Sequence, residues 1–155
     1  MKKNKIKVIA CITLILLAIA TIYFYTNDKM PINEPRVTVK YSGKIVVTNK
    51  GEHNWFNPKV GGNSYLAGPV YDLGINTESL LATPEGKIEV LFQKAPTNMY
   101  LNLWGKDELK SSSNLGSSKK YEFTLPKNKG EYIFEVYGYW SETYNTSTVF
   151  RVKVE

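Results

Sequence analysis

Of the side chains that most often act as nucleophile or base near neutral pH, the chain holds one histidine, His53, and one cysteine, Cys11. Cys11 lies inside an apolar segment, so the rest of the protein has no thiol to set beside His53. A Ser-His-Asp arrangement would have to be built on His53 alone. That residue follows Gly51-Glu52 in what reads as a polar turn, the setting of a solvated histidine. Zinc needs three or four nitrogen or sulfur ligands, more than the body of the chain contains. No P-loop and no G-x-G-x-x-G occurs; the nearest glycine cluster, Val60-Gly61-Gly62-Asn63, reads as a turn. Two carboxylates could cleave a glycosidic bond, and Glu131 with Glu135, or Asp72 with Glu78, are the pairs to consider. Their spacing sets no separation, and a chain of this composition scatters acids in any case. Asp72, Asn76 and Glu78 fall short of the six or more oxygens that calcium takes. The expectation is a protein without catalytic residues, metal or cofactor.

Aromatic rings are what the chain has in quantity: 11 Tyr, 6 Phe and 3 Trp. They concentrate in YIFEVYGYW, Tyr132 to Trp140. Read as a strand, this stretch turns Tyr132, Phe134, Val136 and Trp140 to one face, with Gly138 among them, and Ile133, Glu135, Tyr137 and Tyr139 to the other. The first face is expected to form core with Phe150 and Val152, each large ring contributing about 2–3 kcal/mol on burial. The second lies beside Val149, Arg151 and Lys153 on the following strand. It is either plain cover over a sheet or a contact surface. Tyr137 and Tyr139, with Tyr144 in the hairpin loop SETYNT, are the candidate binding residues, and the expected partner is a protein or a wall polymer.

The elements that must position these residues follow from period-two alternation. RVTVKY (36–41), KIVVTN (44–49), KIEVLF (87–92), MYLNLW (99–104), KYEFTL (120–125), the Tyr132–Trp140 stretch and TVFRVKV (148–154) make seven strand-like runs. Turn residues such as Ser42-Gly43 separate them, and no amphipathic helix competes. The expected fold is an all-β, antiparallel two-sheet sandwich with Greek-key links over residues 36–155. Between Gly51 and Gly86 the alternation weakens, so long loops are expected there, with short strands near Ser64–Leu66 and Val70–Leu73. SSSNLGSS, Ser111 to Ser118, reads as a second flexible loop.

Ahead of the body, Lys2, Lys3, Lys5 and Lys7 precede VIACITLILLAIATIYFY, Val8 to Tyr25, which carries no charge. As a helix it would span roughly 27 Å, close to the hydrocarbon thickness of a bilayer. Tyr23 and Tyr25 suit the interface at its far end, and the lysines orient the N-terminus inward. The expected organisation is a basic cytoplasmic tail (1–7), a transmembrane signal anchor (8–25), a polar connector (26–35) and an extracytoplasmic domain (36–155). Ala18-Ile19-Ala20 offers the alternative of cleavage near Ala20 and a secreted body. Val8-Ile9-Ala10-Cys11 resembles a lipobox, but most of the apolar run follows the cysteine instead of preceding it. Net charge is +6, yet four of the positives are in the tail, leaving 16 basic against 14 acidic residues beyond it. That distribution forms no phosphate-binding stripe and argues against a nucleic-acid partner.

GKIEVLFQKAP and LNLWG, followed by KGEYIFEVYGYW and STVFRVKV, resemble the Ig-like β-sandwich ectodomains of small membrane-anchored envelope proteins of Gram-positive bacteria. The Gly-x-Tyr-x-Phe-x-Val-x-x-x-Trp strand from Gly130 and the Phe-x-Val-x-Val strand from Phe150 carry most of the likeness, which covers roughly Gly86 to Glu155. The Cys-Trp-Cys spacing of antibody-type domains is absent. The resemblance implies a fold and a location and no activity. Together these readings lead to the expectation of a membrane-tethered, non-enzymatic binding module of the cell envelope. A secreted sandwich that inhibits a protease and a glycan-acting enzyme are the alternatives.

Overall fold

The computed structural model describes residues 2–26, 33–57, 61–106 and 108–155, except the side chains of 2–4, 6, 24–26, 57, 61 and 63. The chain divides into two compact units, Met1–Pro31 and Ile32–Glu155. Of the expected connector, residues 27–32 lie outside the described residues, as do Pro58 and Val60.

The first unit is one helix, α1 (Lys2–Thr26). Leu, Ile, Val and Ala follow one another without a polar stripe, so apolar groups point in all directions and the large ones from Val8 to Tyr23 stand more than half exposed. Thr13 and Thr21 return their hydroxyls to the helix, donating to the carbonyls of Ile9 and Leu17 at 3.0 and 2.8 Å. Among the described residues no helix is long and apolar enough to cross a membrane.

The second unit is two antiparallel sheets. One contains β1 (Val37–Tyr41), β2 (Lys44–Ile45), β6 (Lys87–Phe92) and β9 (Lys120–Thr124), in the order β2-β1-β6-β9. The other contains β3 (Asn49–Asn57), β4 (Gly61–Tyr65), β7 (Asn98–Trp104), β8 (Leu109–Asn114), β10 (Gly130–Ser141) and β11 (Tyr144–Val154), in the order β4-β3-β11-β10-β7-β8. β11 is long enough to hold two neighbours on its far edge. Its first half pairs antiparallel with β3, and its second half pairs parallel with β5 (Ser79–Ala82). A single-turn helix, α2 (Val70–Ile75), links β4 to β5.

Alternation decides what is buried between the sheets. Val39, Ile88, Val90 and Phe92 from the first meet Phe134, Val136, Trp140, Phe150 and Val152 from the second. Rings interlock across the gap: Phe123 lies 5.3 Å from Phe134, and Phe92 lies 5.9 Å from Trp140. The core face expected for the Tyr132–Trp140 stretch is therefore the one found. The outer face of the four-stranded sheet is charged instead. Glu89 and Glu122 face each other there, with Lys120 paired to Glu89 and Lys87 to Glu122 at 2.7 Å.

Several boundaries differ from the sequence reading. KIVVTN is divided between the sheets: Lys44–Ile45 pairs with β1, and Asn49 already belongs to β3. Alternation reports which residues share a face, not which sheet receives them. Residues 51–86 hold most of β3, β4, α2 and β5 rather than long loops; the short strand expected near Ser64–Leu66 overlaps β4, and the described strands number eleven. Val70–Leu73 is the start of α2, where Val70 and Leu73 have helical spacing and Asp72 sits in the first turn, favourably placed for the helix dipole. Ser111–Asn114, expected as loop, completes β8, an edge strand exposed at every residue. A serine-rich edge has no buried face to betray it. The Ser42-Gly43 turn is as expected, with φ of 48° and 77°, a left-handed pair that the glycine accommodates without strain.

Candidate functional site

The outer face of the larger sheet is where its chemistry departs from ordinary solvent cover. Strand pairing lines residues up in rows across it. One row runs Ser64, Asn54, Asn145, Tyr139, Asn98 over five strands. The next runs Ser147, Tyr137, Tyr100, Asn114. A third runs Val149, Glu135, Asn102, Ser112, and a fourth Arg151, Ile133, Trp104, Leu109. Three rows are thus built almost wholly of phenol, amide and alcohol groups around a single carboxylate.

One end of this face is roofed. α2 lies over Ile133, and a methyl group at Gly74 would stand 2.3 Å from Cγ2 of that residue, so only glycine permits the approach. Asn49 holds the helix down, its Nδ2 donating to the Leu73 carbonyl at 3.1 Å and to Thr77 Oγ1 at 2.8 Å. Arg151 adds a bond from Nη1 to the Ile75 carbonyl at 3.0 Å and an ion pair from Nη2 to Glu131 at 2.7 Å. Ile133 and Val149 are buried as a result.

Beyond the roof, Glu135 is only 6% exposed, and its Oε2 accepts from Trp104 Nε1 at 2.9 Å and from Asn102 Nδ2 at 3.0 Å. A buried carboxylate needs such donors to remain in place. Asn102 Oδ1 and Ser147 Oγ, beside it, are buried without a partner among the described residues. Tyr137 stands next along β10, its ring 6.2 Å from that of Tyr100 across the strand pair. Burial pushes the Tyr137 phenol above its ordinary value of 10.0, and the charges of Glu52 and Glu135 add to that. Tyr139 follows two residues on. All three tyrosines are half-buried, with part of each ring facing out.

Tyr137 and Tyr139 are therefore brought together, as the alternation of the strand requires. Tyr144 is not with them. It is the first residue of β11 rather than a loop residue, and it points to the opposite face, its ring 5.1 Å from Trp55 at the margin of the core. The hairpin turn is only Glu142-Thr143. His53 also differs from expectation: it is a buried residue of β3, not a solvated loop histidine, and it stacks on Tyr65 at 5.5 Å. Gly51, His53 and Trp55 do alternate, but polar neighbours hide the pattern. Of the acids considered for a glycosidase, the Glu131 and Glu135 pair is otherwise engaged: Glu131 pairs with Arg151, and Glu135 is held by Trp104 and Asn102. Among the described residues no group of three or more His, Cys, Asp or Glu is placed to hold a metal ion.

Tyr100, Asn102 and Trp104 were missing from the candidate set. Their shared face was legible in MYLNLW, but not that β7 would lie against β10. No known protein-family model matches the chain, and no curated protein matches it.

Proposed function

We propose that this protein is a non-enzymatic binding module of the bacterial cell envelope: an Ig-like β-sandwich held outside the cytoplasmic membrane by its N-terminal helix. The observation that carries the binding role is the cluster of Tyr100, Tyr137 and Tyr139 on the unroofed part of the outer sheet face. Partly exposed rings grouped on one sheet, where the outer face of the other carries Lys–Glu pairs at its centre, are a contact surface in the making. The rigid ladder beneath them fixes their spacing before any partner arrives, which lowers the entropic cost of binding.

The anchor is supported by α1, whose large side chains from Val8 to Tyr23 are apolar and stand more than half exposed all along the helix. Its described side chains end at Tyr23, and Phe24 and Tyr25 extend the uncharged sequence to the length a bilayer asks for. Tethering raises the effective concentration of the domain at its target, so weak contacts suffice.

A reporter fused behind Glu155, active only outside the cytoplasm, tests the location together with membrane fractionation. Signal confined to the cell interior refutes it. Crosslinking in intact cells tests the role: Tyr137→Ser and Tyr139→Ser should lose the captured partner while the domain stays folded. An unchanged crosslinking pattern in the folded variants refutes the surface.

A further inference from the structure

The unroofed face has a composition that selects among partners. Across the rows of Tyr139, Tyr137 and Glu135, the one aliphatic member, Val149, is covered, so the accessible groups are rings, amides and hydroxyls. A protein interface is usually anchored by a desolvated apolar centre, and these rows offer none. A sugar ring makes the opposite demand. One of its faces is a patch of polarised C–H groups that settles on the negative face of an aromatic ring. Its rim is hydroxyls that need donors and acceptors close by.

Both demands meet here. None of the hydroxyls of Tyr100, Tyr137 and Tyr139 bonds another described residue, so all three are free for solvent or ligand. Tyr137 and Tyr139 are about 6.8 Å apart along β10, close enough for one short glycan to reach both. Charge narrows the class further. Burial raises the Tyr137 phenol above its ordinary value, and the negative charges of Glu52 and Glu135 add to that, so both carboxylates are felt at this face. Among the described residues, the one cation in the four rows, Arg151, is taken up by Glu131 and the Ile75 carbonyl. A polyanion would meet the charges of Glu52 and Glu135 with no free cation in those rows to offset them.

Resting on the binding-module reading, we propose that the ligand is an uncharged polysaccharide strand, its rings lying on Tyr137, Tyr139 and Tyr100 and its hydroxyls bonded by the phenols and amides around them.

The test uses the full chain in phosphatidylcholine nanodiscs, because sugar-headed detergents would compete. Chitohexaose and cellohexaose serve as neutral probes and polygalacturonate as the anionic one, with the tyrosine ring resonances followed by NMR. The expected result is saturable binding of at least one hexaose, with shifts at Tyr100, Tyr137 and Tyr139, and none with polygalacturonate. Tyr137→Ser should weaken binding at least about tenfold, whereas Tyr139→Phe, which keeps its ring, should cost only a few-fold. Should Tyr137→Ser not fold, the location of the shifts in the unaltered protein decides. Absence of saturation by either hexaose up to about 10 mM overturns the proposal, as do shifts confined to other residues or preferential binding of the polyanion. A tyrosine-dependent crosslink to a surface protein, with no glycan bound, overturns the glycan alone and leaves the binding module standing. Crosslinks indifferent to the tyrosines refute the module itself.

Discussion

Replacing Gly138 with alanine puts a methyl group against two aromatic rings of the core. Gly138 lies on the inner face of β10 between Val136 and Trp140. The added carbon would stand 2.7 Å from Phe92 Cε1 and 2.9 and 3.0 Å from Cζ3 and Cη2 of Trp140. Carbon atoms in contact prefer about 3.5–4.0 Å, so the deficit is close to 1 Å against two rings at once. Neither ring is a loose end. Phe92 lies edge-on to Tyr121 at 5.9 Å, and Trp140 is backed by Trp55 at 5.3 Å. Overpacking of this kind costs about 1–3 kcal/mol, offset by about 0.4–1 kcal/mol from the stiffer unfolded chain. The net expectation is a loss of about 1–2 kcal/mol, a fall in Tm of about 3–10 °C for a domain of this size. Urea unfolding of the full chain in detergent micelles, followed by tryptophan fluorescence, measures it, since Trp55 and Trp140 both belong to the strained cluster. Phe92→Leu should cost less in the Gly138→Ala background than alone, because it clears one of the two contacts. A Gly138→Ala protein within about 0.5 kcal/mol of the parent, or strictly additive costs, would mean that Phe92 and Trp140 do not close over this position.

Two further outcomes follow from the outer face. Trp104→Phe removes one of the two donors to the buried Glu135 carboxylate and should destabilise the domain by about 1–3 kcal/mol; Trp104→Phe with Glu135→Leu should recover part of that loss, and thermal melts of the single and double variants check it. At alkaline pH, the Tyr137 and Tyr121 phenols are both raised above 10.0, chiefly by burial. The unfolded chain therefore ionises first, so their contribution is intact below about pH 10 and is lost as pH rises through the folded values. Tyr137→Phe should flatten the fall in stability between about pH 9 and 11 in urea titrations, and an unchanged slope would contradict the burial described.

The strands with one clean apolar face were legible beforehand. KIEVLF is β6 residue for residue, and MYLNLW, KYEFTL and the last two runs fell within two residues of the observed strands except where β11 begins. β3 and β8 were not legible, and β4 only through its end at Ser64–Tyr65, because Asn, Gly and Ser supply no hydrophobic contrast and their strands exist through pairing with neighbours already in place. His53 and Tyr144 were misplaced for the same reason. Each sits among polar residues, and its burial depends on a partner distant in sequence, Tyr65 for one and Trp55 for the other.

Local chemistry alone determined that the chain has an uncharged N-terminal run, an all-β body, an inner face on the Tyr132–Trp140 strand, and a single histidine and a single cysteine. Those properties reside in residue types and in a period of two, both of which survive without a fold. Which strands become neighbours is decided only by closing the sheets, where long-range pairing and side-chain packing outweigh local preference. That closure set Tyr100 beside Tyr137, tied Glu135 to Trp104, turned Tyr144 inward and laid α2 over one end of the outer face at Ile133, leaving the tyrosines unroofed.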